Sequence, residues 1–272
     1  MLAAVVNGSK VRDVQHAIAL EDRGLAYGDG VFETMLLRQG QVRFVEDHLA
    51  RLEFGCKRLG ISAPSIDALK NDLQLIAGAQ NDGVIKLIVT RGAGGRGYRA
   101  SADLAPTRIA ILYASIEPDA EDGIEVRWCA TRLARNATLA GIKHLNRLEY
   151  VLAHNEWNDP KIAEGLLLDT ENEVIEATTS NLFAVIDGVL TTPDLRFCGV
   201  RGVIRARILS LADRSNIESR EGVIHQDEVL RASELFVTNA IRGIRPIRKL
   251  DRYQWRCGPT TKRLIDALAA ER

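Results

Sequence analysis

The chain has 272 residues, 46% of them hydrophobic and 26% charged, the make-up of a globular protein long enough to bury a core without metals or disulfides. Its 36 basic and 36 acidic residues cancel, so no bulk field draws it to nucleic acid or to an anionic membrane. Cys56, Cys129, Cys198 and Cys257 show neither CxxC pairing nor metal-ligand spacing, which points to reduced thiols and no metal centre. The opening MLAAVVNGSK turns polar too soon for a signal peptide, and no apolar run approaches about 20 residues. A cytoplasmic location is expected.

In chain order, Ala3–Val6 reads as a strand closed by Asn7-Gly8, and Gly30–Arg38 turns at Gln39-Gly40 into Gln41–Val45, a hairpin signature. Leu49, Leu52, Phe54 and Leu59 recur near helical spacing over Val45–Leu59, which Gly60 stops, and Ser65–Ala79 repeats the pattern. Val84–Thr90 and Arg108–Ala114 read as two buried strands joined by the loop 91–107. Residues 115–123, with Pro118 and four acids, are the candidate linker. Strand Ile124–Ala130 and helix Arg147–Trp157 follow, then strands Gly165–Asp169, Val174–Ala177, Leu182–Ile186 and Val189–Thr192. Helix Val203–Ala212, a strand near Ile217–Val223, helix Gln226–Arg231, strand Glu234–Thr238 and helix Thr260–Ala270 complete the reading. Strands in runs rather than strict alternation give an α+β class. The expected organisation is an N-terminal subdomain at 1–114, the linker, and a C-terminal subdomain at 124–272, with the cleft between subdomains as the default ligand site.

The chemistry concentrates in two segments. NATLAGIKHLNRLE, at 136–149, sets Lys143 behind the small apolar run Leu139-Ala140-Gly141-Ile142, and a lysine in apolar surroundings becomes a usable amine nucleophile. EVIEATTSNLF, at 173–183, carries the carboxylate of Glu176 on a strand-like run, the type of group that partners a pyridinium nitrogen. Gly199–Gly202 lead into the helix at Val203, whose first N–H groups lack helical partners, and Asn239-Ala240 follow a strand end. With Arg51 these turns would make one phosphate cup. Gly92–Gly97 spell G-x-G-x-x-G, but no helix opens after them, so a dinucleotide site is discounted. The expectation there is a mobile cationic loop with Arg91, Arg96 and Arg99 free to meet a carboxylate.

These segments, from DRGLAYGDGVFET to ELFVTNAIRGIRPI, resemble the fold-type IV pyridoxal-phosphate enzymes, a family with branched-chain and D-amino acid aminotransferases and aminodeoxychorismate lyases. GGRGY and GIKHLNRLEYVLA resemble the lyase branch more than either aminotransferase. The resemblance implies a two-subdomain fold with pyridoxal 5'-phosphate in the cleft. It implies Lys143 as the Schiff-base lysine, Glu176 on the pyridine nitrogen, and Arg51, Val203, Ile204, Asn239 and Ala240 on the phosphate. It sets Thr34 where lyases carry a threonine that can pass a proton to the leaving enol, turns Arg96, Tyr98 and Lys86 toward substrate, and makes Asn146 and Arg147 contacts of the substrate or of the residues behind it. It also implies a homodimer acting on a small molecule, aminodeoxychorismate, with elimination of pyruvate, or else an aminotransferase on the same scaffold. The acid some relatives carry between Glu176 and Asn181 is absent, which leaves Glu176 alone on that side.

Overall fold

A computed structural model describes residues 1–78, 80–115 and 123–271. The chain forms two compact units: Met1–Glu117 with Ile142–Asn146, and Pro118–Gly141 with Arg147–Arg272. The segment carrying Lys143 therefore belongs with the first unit, although its position in the sequence suggested the second. The expected linker lies, from 116 to 122, outside the described residues, as does Ala79 at the end of the second expected helix.

The first unit contains β1 (Ala3–Val6), β2 (Ser9–Lys10), α1 (Arg23–Tyr27), β3 (Gly30–Arg38), β4 (Gln41–Val42), α2 (Val45–Leu59), α3 (Ile66–Ala77), β5 (Gly83–Thr90) and β6 (Thr107–Tyr113). Among the described residues its strands make a six-stranded antiparallel sheet in the order β2-β1-β6-β5-β3-β4. Period-two alternation assigns the faces of β3. Val31, Glu33, Met35 and Leu37 are buried, while Phe32, Thr34 and Leu36 are half-buried. Val31, Met35 and Leu37 join Leu49 and Leu52 of α2 and Leu69 and Leu73 of α3 in one core. Helix α2 carries Glu46 and Asp47 in its first turn and Lys57 and Arg58 in its last, the arrangement its dipole favours, and ends on Gly60 in the left-handed conformation. Ser65 caps α3, accepting from the Ala68 N–H at 3.2 Å.

The second unit contains β7 (Ile124–Leu133), α4 (Leu148–His154), β8 (Ile162–Asp169), β9 (Val174–Ala177), β10 (Asn181–Ile186), β11 (Val189–Pro193), α5 (Val203–Arg214), β12 (Ser219–Gly222), α6 (Gln226–Arg231), β13 (Glu234–Asn239), β14 (Gly243–Leu250), β15 (Tyr253–Gln254) and α7 (Pro259–Ala270). Its sheet runs β12-β11-β10-β13-β14-β7-β8-β9, with β15 on β14. Strand β9 pairs with both β8 and β10, so six of these strands close into a ring. Closure removes their edges and explains why β9 and β10 are buried along their whole length. Leu166, Leu182, Leu235 and Val237 fill one core, and the rings of Phe183 and Phe236 stack at 5.0 Å. No described helix is long and apolar enough to cross a membrane.

Candidate active site

In the first unit, the segment holding Lys143 extends the sheet at the edge of β3. The Phe32 N–H donates to the Lys143 carbonyl at 2.9 Å, the Leu145 N–H to the Gly30 carbonyl at 3.0 Å, and Val31 and His144 form an antiparallel bridge. Backbone pairing fixes where the lysine starts. Its Nζ lies 4.5 Å from the Phe32 ring centroid, and Lys86 Nζ lies 5.0 Å from the same centroid. Thr34 stands two residues beyond Phe32 on that half-buried face, directly across from Lys86 of β5. Lys143 and Lys86 therefore approach one aromatic side chain, with Thr34 on the same face of β3.

Arg51 emerges from α2 beside the buried Glu33. Its Nε donates to Glu33 Oε1 at 2.7 Å and its Nη2 to Glu33 Oε2, which also accepts from His48 Nδ1 at 2.6 Å. Burial pushes the Glu33 carboxyl up, but the Arg51 guanidinium and the hydrogen bonds from His48 and Arg51 outweigh it and hold the group at about 2.

Asn146 and the glycine-rich loop are tied to α1 and its C-cap, just before β3. The Asn146 amide donates to the Gly28 carbonyl at 3.1 Å, pinning the left-handed end of α1, where a Cβ on Gly28 would lie 2.6 Å from Asn146 Oδ1. Arg91 is not available to meet a ligand carboxylate. It grips Asp29 through Nε at 2.7 Å and Nη2 at 3.0 Å, and donates to the carbonyls of Leu59 and Gly60. Burial raises the Asp29 carboxyl, yet the bonds from Arg91 and Arg23 hold it below the usual range. Arg23 donates to the Gly97 and Tyr98 carbonyls at 2.9 and 2.8 Å, and Tyr27 Oη accepts from the Gly97 N–H. Arg96 is exposed and Tyr98 is 89% exposed.

In the second unit Glu176 is buried on β9 with three donors. Tyr150 Oη reaches Oε1 at 2.5 Å, while Asn181 Nδ2 and the Val200 N–H each reach Oε2 at 3.0 Å. Both carboxylate oxygens are therefore engaged and the plane of the group is fixed. Burial and the charge of Glu176 drive the Tyr150 phenol far above its ordinary value, so it stays a donor. Arg147 lies over the Tyr150 ring, 4.7 Å from its centroid, one residue removed from Glu176. Asn181 Nδ2 also donates to the Val200 carbonyl at 2.8 Å, tying Glu176 to the turn that enters α5. That helix starts at Val203 and Ile204 behind Gly202 with no side-chain cap, leaving its first N–H groups for another acceptor. Asn239 folds its own turn, accepting from the Ile241 and Arg242 N–H groups at 3.0 and 2.8 Å, with Ala240 half-buried between.

The residues that sequence reasoning missed hold these turns together. Glu164, buried on β8, accepts from Thr178 Oγ1 at 3.1 Å, the Thr179 N–H at 2.7 Å, Thr179 Oγ1 at 2.8 Å, Ser180 Oγ at 2.5 Å, and Arg245 Nη2. Asn239 Nδ2 donates to the same Ser180 hydroxyl at 3.0 Å. The turn after Glu176 thus has a carboxylate beneath it although its own sequence has none. Tyr150, Glu33 and His48 were missed too. Glu33 and His48 had a signal: a charge on the apolar face of β3, and a histidine and arginine three apart beside Leu49 and Leu52. Among the described residues no cluster of His, Cys, Asp and Glu could hold a metal.

A family profile described as amino-transferase class IV matches residues 30–250. The aminodeoxychorismate lyase of Vibrio harveyi is 31% identical over 258 residues, covering 92% of this chain and 95% of that protein. The crystal structure of 4-amino-4-deoxychorismate lyase from Pseudomonas aeruginosa superposes with a TM-score of 0.92 at 44% identity, over 97% of both chains. The branched-chain amino acid aminotransferase of Escherichia coli superposes with a TM-score of 0.87 at 27% identity, covering 98% of this chain and 93% of that one.

Proposed function

Because this chain belongs to the amino-transferase class IV family, we propose that it is a pyridoxal-phosphate enzyme, and specifically a lyase that converts 4-amino-4-deoxychorismate to 4-aminobenzoate and pyruvate. The observation that carries the cofactor is a pair of features in the second unit: the Glu176 carboxylate, oriented by three donors, and an α5 N-terminus with no side-chain cap. A pyridinium N–H suits the first and a phosphate suits the second. Arg51 adds the cation for that phosphate, with Val203, Ile204, Asn239 and Ala240 as its remaining holders, and Lys143 adds the amine for the aldehyde. Bound there, pyridoxal phosphate supplies the electron sink that stabilises the charge left when the carbon beside the substrate nitrogen loses its proton.

The chain's own groups do the rest. With the cofactor held, Lys143 Nζ would be the general base that takes that proton. Glu176 would hold a proton on the pyridine nitrogen, with Tyr150 and Asn181 keeping Glu176 in place. Thr34 Oγ1, on the Lys86 side of β3, hands a proton to the oxygen of the departing enol. Loss of that enol makes the ring aromatic, which drives the step forward. Lys86, Arg96, Tyr98, Asn146 and Arg147 are the residues we assign to the substrate side, with Asn146 acting through Gly28.

Purified protein given 4-amino-4-deoxychorismate should release pyruvate and 4-aminobenzoate in equal amounts; production of neither would overturn the lyase reading. Likeness to a branched-chain aminotransferase at 27% identity keeps a second reading, transamination of D- or branched-chain amino acids. It predicts that such amino acids convert the bound cofactor to its amine form in a single turnover. We further propose a cytoplasmic homodimer. In its support, α4 exposes Leu148, Val151 and Leu152, an apolar strip that a second copy would cover. Sedimentation at the mass of one chain would contradict it.

A further inference from the structure

Behind Arg51 lies a polar cluster that anion binding alone does not require. Glu33 sits on the core face of β3 between Val31 and Met35, and its side chain is 1% exposed; that of His48 is 0% exposed. A buried carboxylate is costly unless ion-paired and hydrogen-bonded, and removing its partners costs more than the pair contributes. Here both oxygens are engaged: Oε1 by Arg51 Nε, Oε2 by Arg51 Nη2 and by His48 Nδ1. His48 Nε2 is buried with no hydrogen-bond partner among the described residues. An unsatisfied buried nitrogen is destabilising, a penalty that an apolar residue of similar size would not carry. The ring's one polar contact is with Glu33, so that contact is what a histidine offers here and a leucine does not.

The geometry sets a consequence for Arg51. A guanidinium held on its Nε–Nη2 edge by a planar carboxylate cannot swing about its last torsion, because the two-point fork fixes the plane. Glu33 cannot swing either, since His48, one helical turn before Arg51 on α2, holds its second oxygen. We infer that Glu33 and His48 are positioning residues: they fix the plane of the Arg51 guanidinium, and so set how tightly this enzyme grips the phosphate of its cofactor. The inference rests on the proposed reading of Arg51 as the phosphate-binding arginine.

The test compares pyridoxal phosphate with pyridoxal, which has the same ring and aldehyde and no phosphate. Enzyme purified with its cofactor is stripped and retitrated with each compound, and the 31P resonance of the bound phosphate is recorded. Glu33→Gln should weaken pyridoxal phosphate roughly 10–100-fold, the range seen when a group that orients a ligand-binding residue is lost, with pyridoxal changed by less than about threefold and the 31P resonance moved. His48→Leu should show a smaller loss of the same selectivity. His48→Gln, whose amide can still donate to Glu33, should restore it. Equal losses for both compounds, or a lower melting temperature with the phosphate preference and resonance intact, would overturn the inference and leave a structural ion pair. Arg51→Gln separates the two levels. If it leaves the phosphate preference of the wild type unchanged, the reading of Arg51 itself fails. If it abolishes the preference while Glu33→Gln and His48→Leu do not, only the positioning role fails. Should Glu33→Gln not fold, Glu33→Asp and the His48 pair carry the same comparison.

Discussion

Replacing Arg245 by methionine tests whether the buried Glu164 centre holds the turns around Glu176. In the native protein Glu164 is fully enclosed and takes five donor atoms, four from Thr178–Ser180 and one from Arg245. Arg245→Met leaves the carboxylate buried with only neutral donors. Breaking one side of a buried ion pair costs about 3–5 kcal/mol, because the remaining charge stays out of water. Glu164→Gln should cost a similar amount, since its amide nitrogen would face hydroxyls and an N–H that now meet an acceptor. The double variant removes the charge mismatch and should cost less than the sum of the two by about 1–3 kcal/mol. Urea unfolding of the three variants, followed by far-ultraviolet circular dichroism and by tryptophan fluorescence, measures this cycle. Additive losses, or an Arg245→Met loss under about 1 kcal/mol, would show that the pair is not the electrostatic hub described.

Three further outcomes follow from the packing and the charges. Glu33 is held at about 2 from an ordinary 4.5, so the unfolded chain binds its proton first and stability falls as pH drops from about 4.5 toward 2. The term is on the order of 3 kcal/mol, and acid unfolding of Glu33→Gln should be shallower than wild type over that window; equal slopes would refute it. Burial, aided by nearby carboxylates, pushes the thiols of Cys56, Cys129 and Cys198 up to about 12. In the native protein at pH 8 a thiol reagent should therefore modify Cys257 first, which peptide mapping would reveal. Gly202→Ala would set a Cβ 2.1 Å from Asn181 Oδ1, forcing off Glu176 the amide that binds it. A loss of about 1–3 kcal/mol in thermal stability is expected, whereas Gly222→Ala, with open space at the same atom, should be near neutral.

Much of the fold was legible because its periodicity is local. The alternation in β3, the Gln39-Gly40 turn and the apolar stripes of α2 and α3 needed only neighbouring residues to be read. Strand β14 was missed because Ile244-Arg245-Pro246-Ile247-Arg248 sets charges and a proline where a central strand is expected to be apolar. Arg245 is accommodated there by Glu164, 81 residues earlier, and no local pattern announces that pairing. Helix α1 escaped notice because it has five residues and contains a glycine. Of the candidate site, Lys143 and Glu176 stood out by residue type beside apolar or strand-like runs. Their supports did not: Tyr150 and Asn181 meet Glu176, and Phe32 meets Lys143, only through contacts the chain makes after folding. The engagement of Arg91 was not legible because its charge is visible in sequence while its Asp29 partner, 62 residues earlier, is not.

Lys143 as the amine that binds the cofactor covalently is the centre of the proposed chemistry, and one labelling measurement tests it directly. Reduction of the purified protein with borohydride, followed by proteolysis and mass spectrometry, should find the phosphopyridoxyl mass on the peptide containing Lys143 and lose it in Lys143→Ala. The same mass on Lys86 or any other lysine, or on none, would contradict the account.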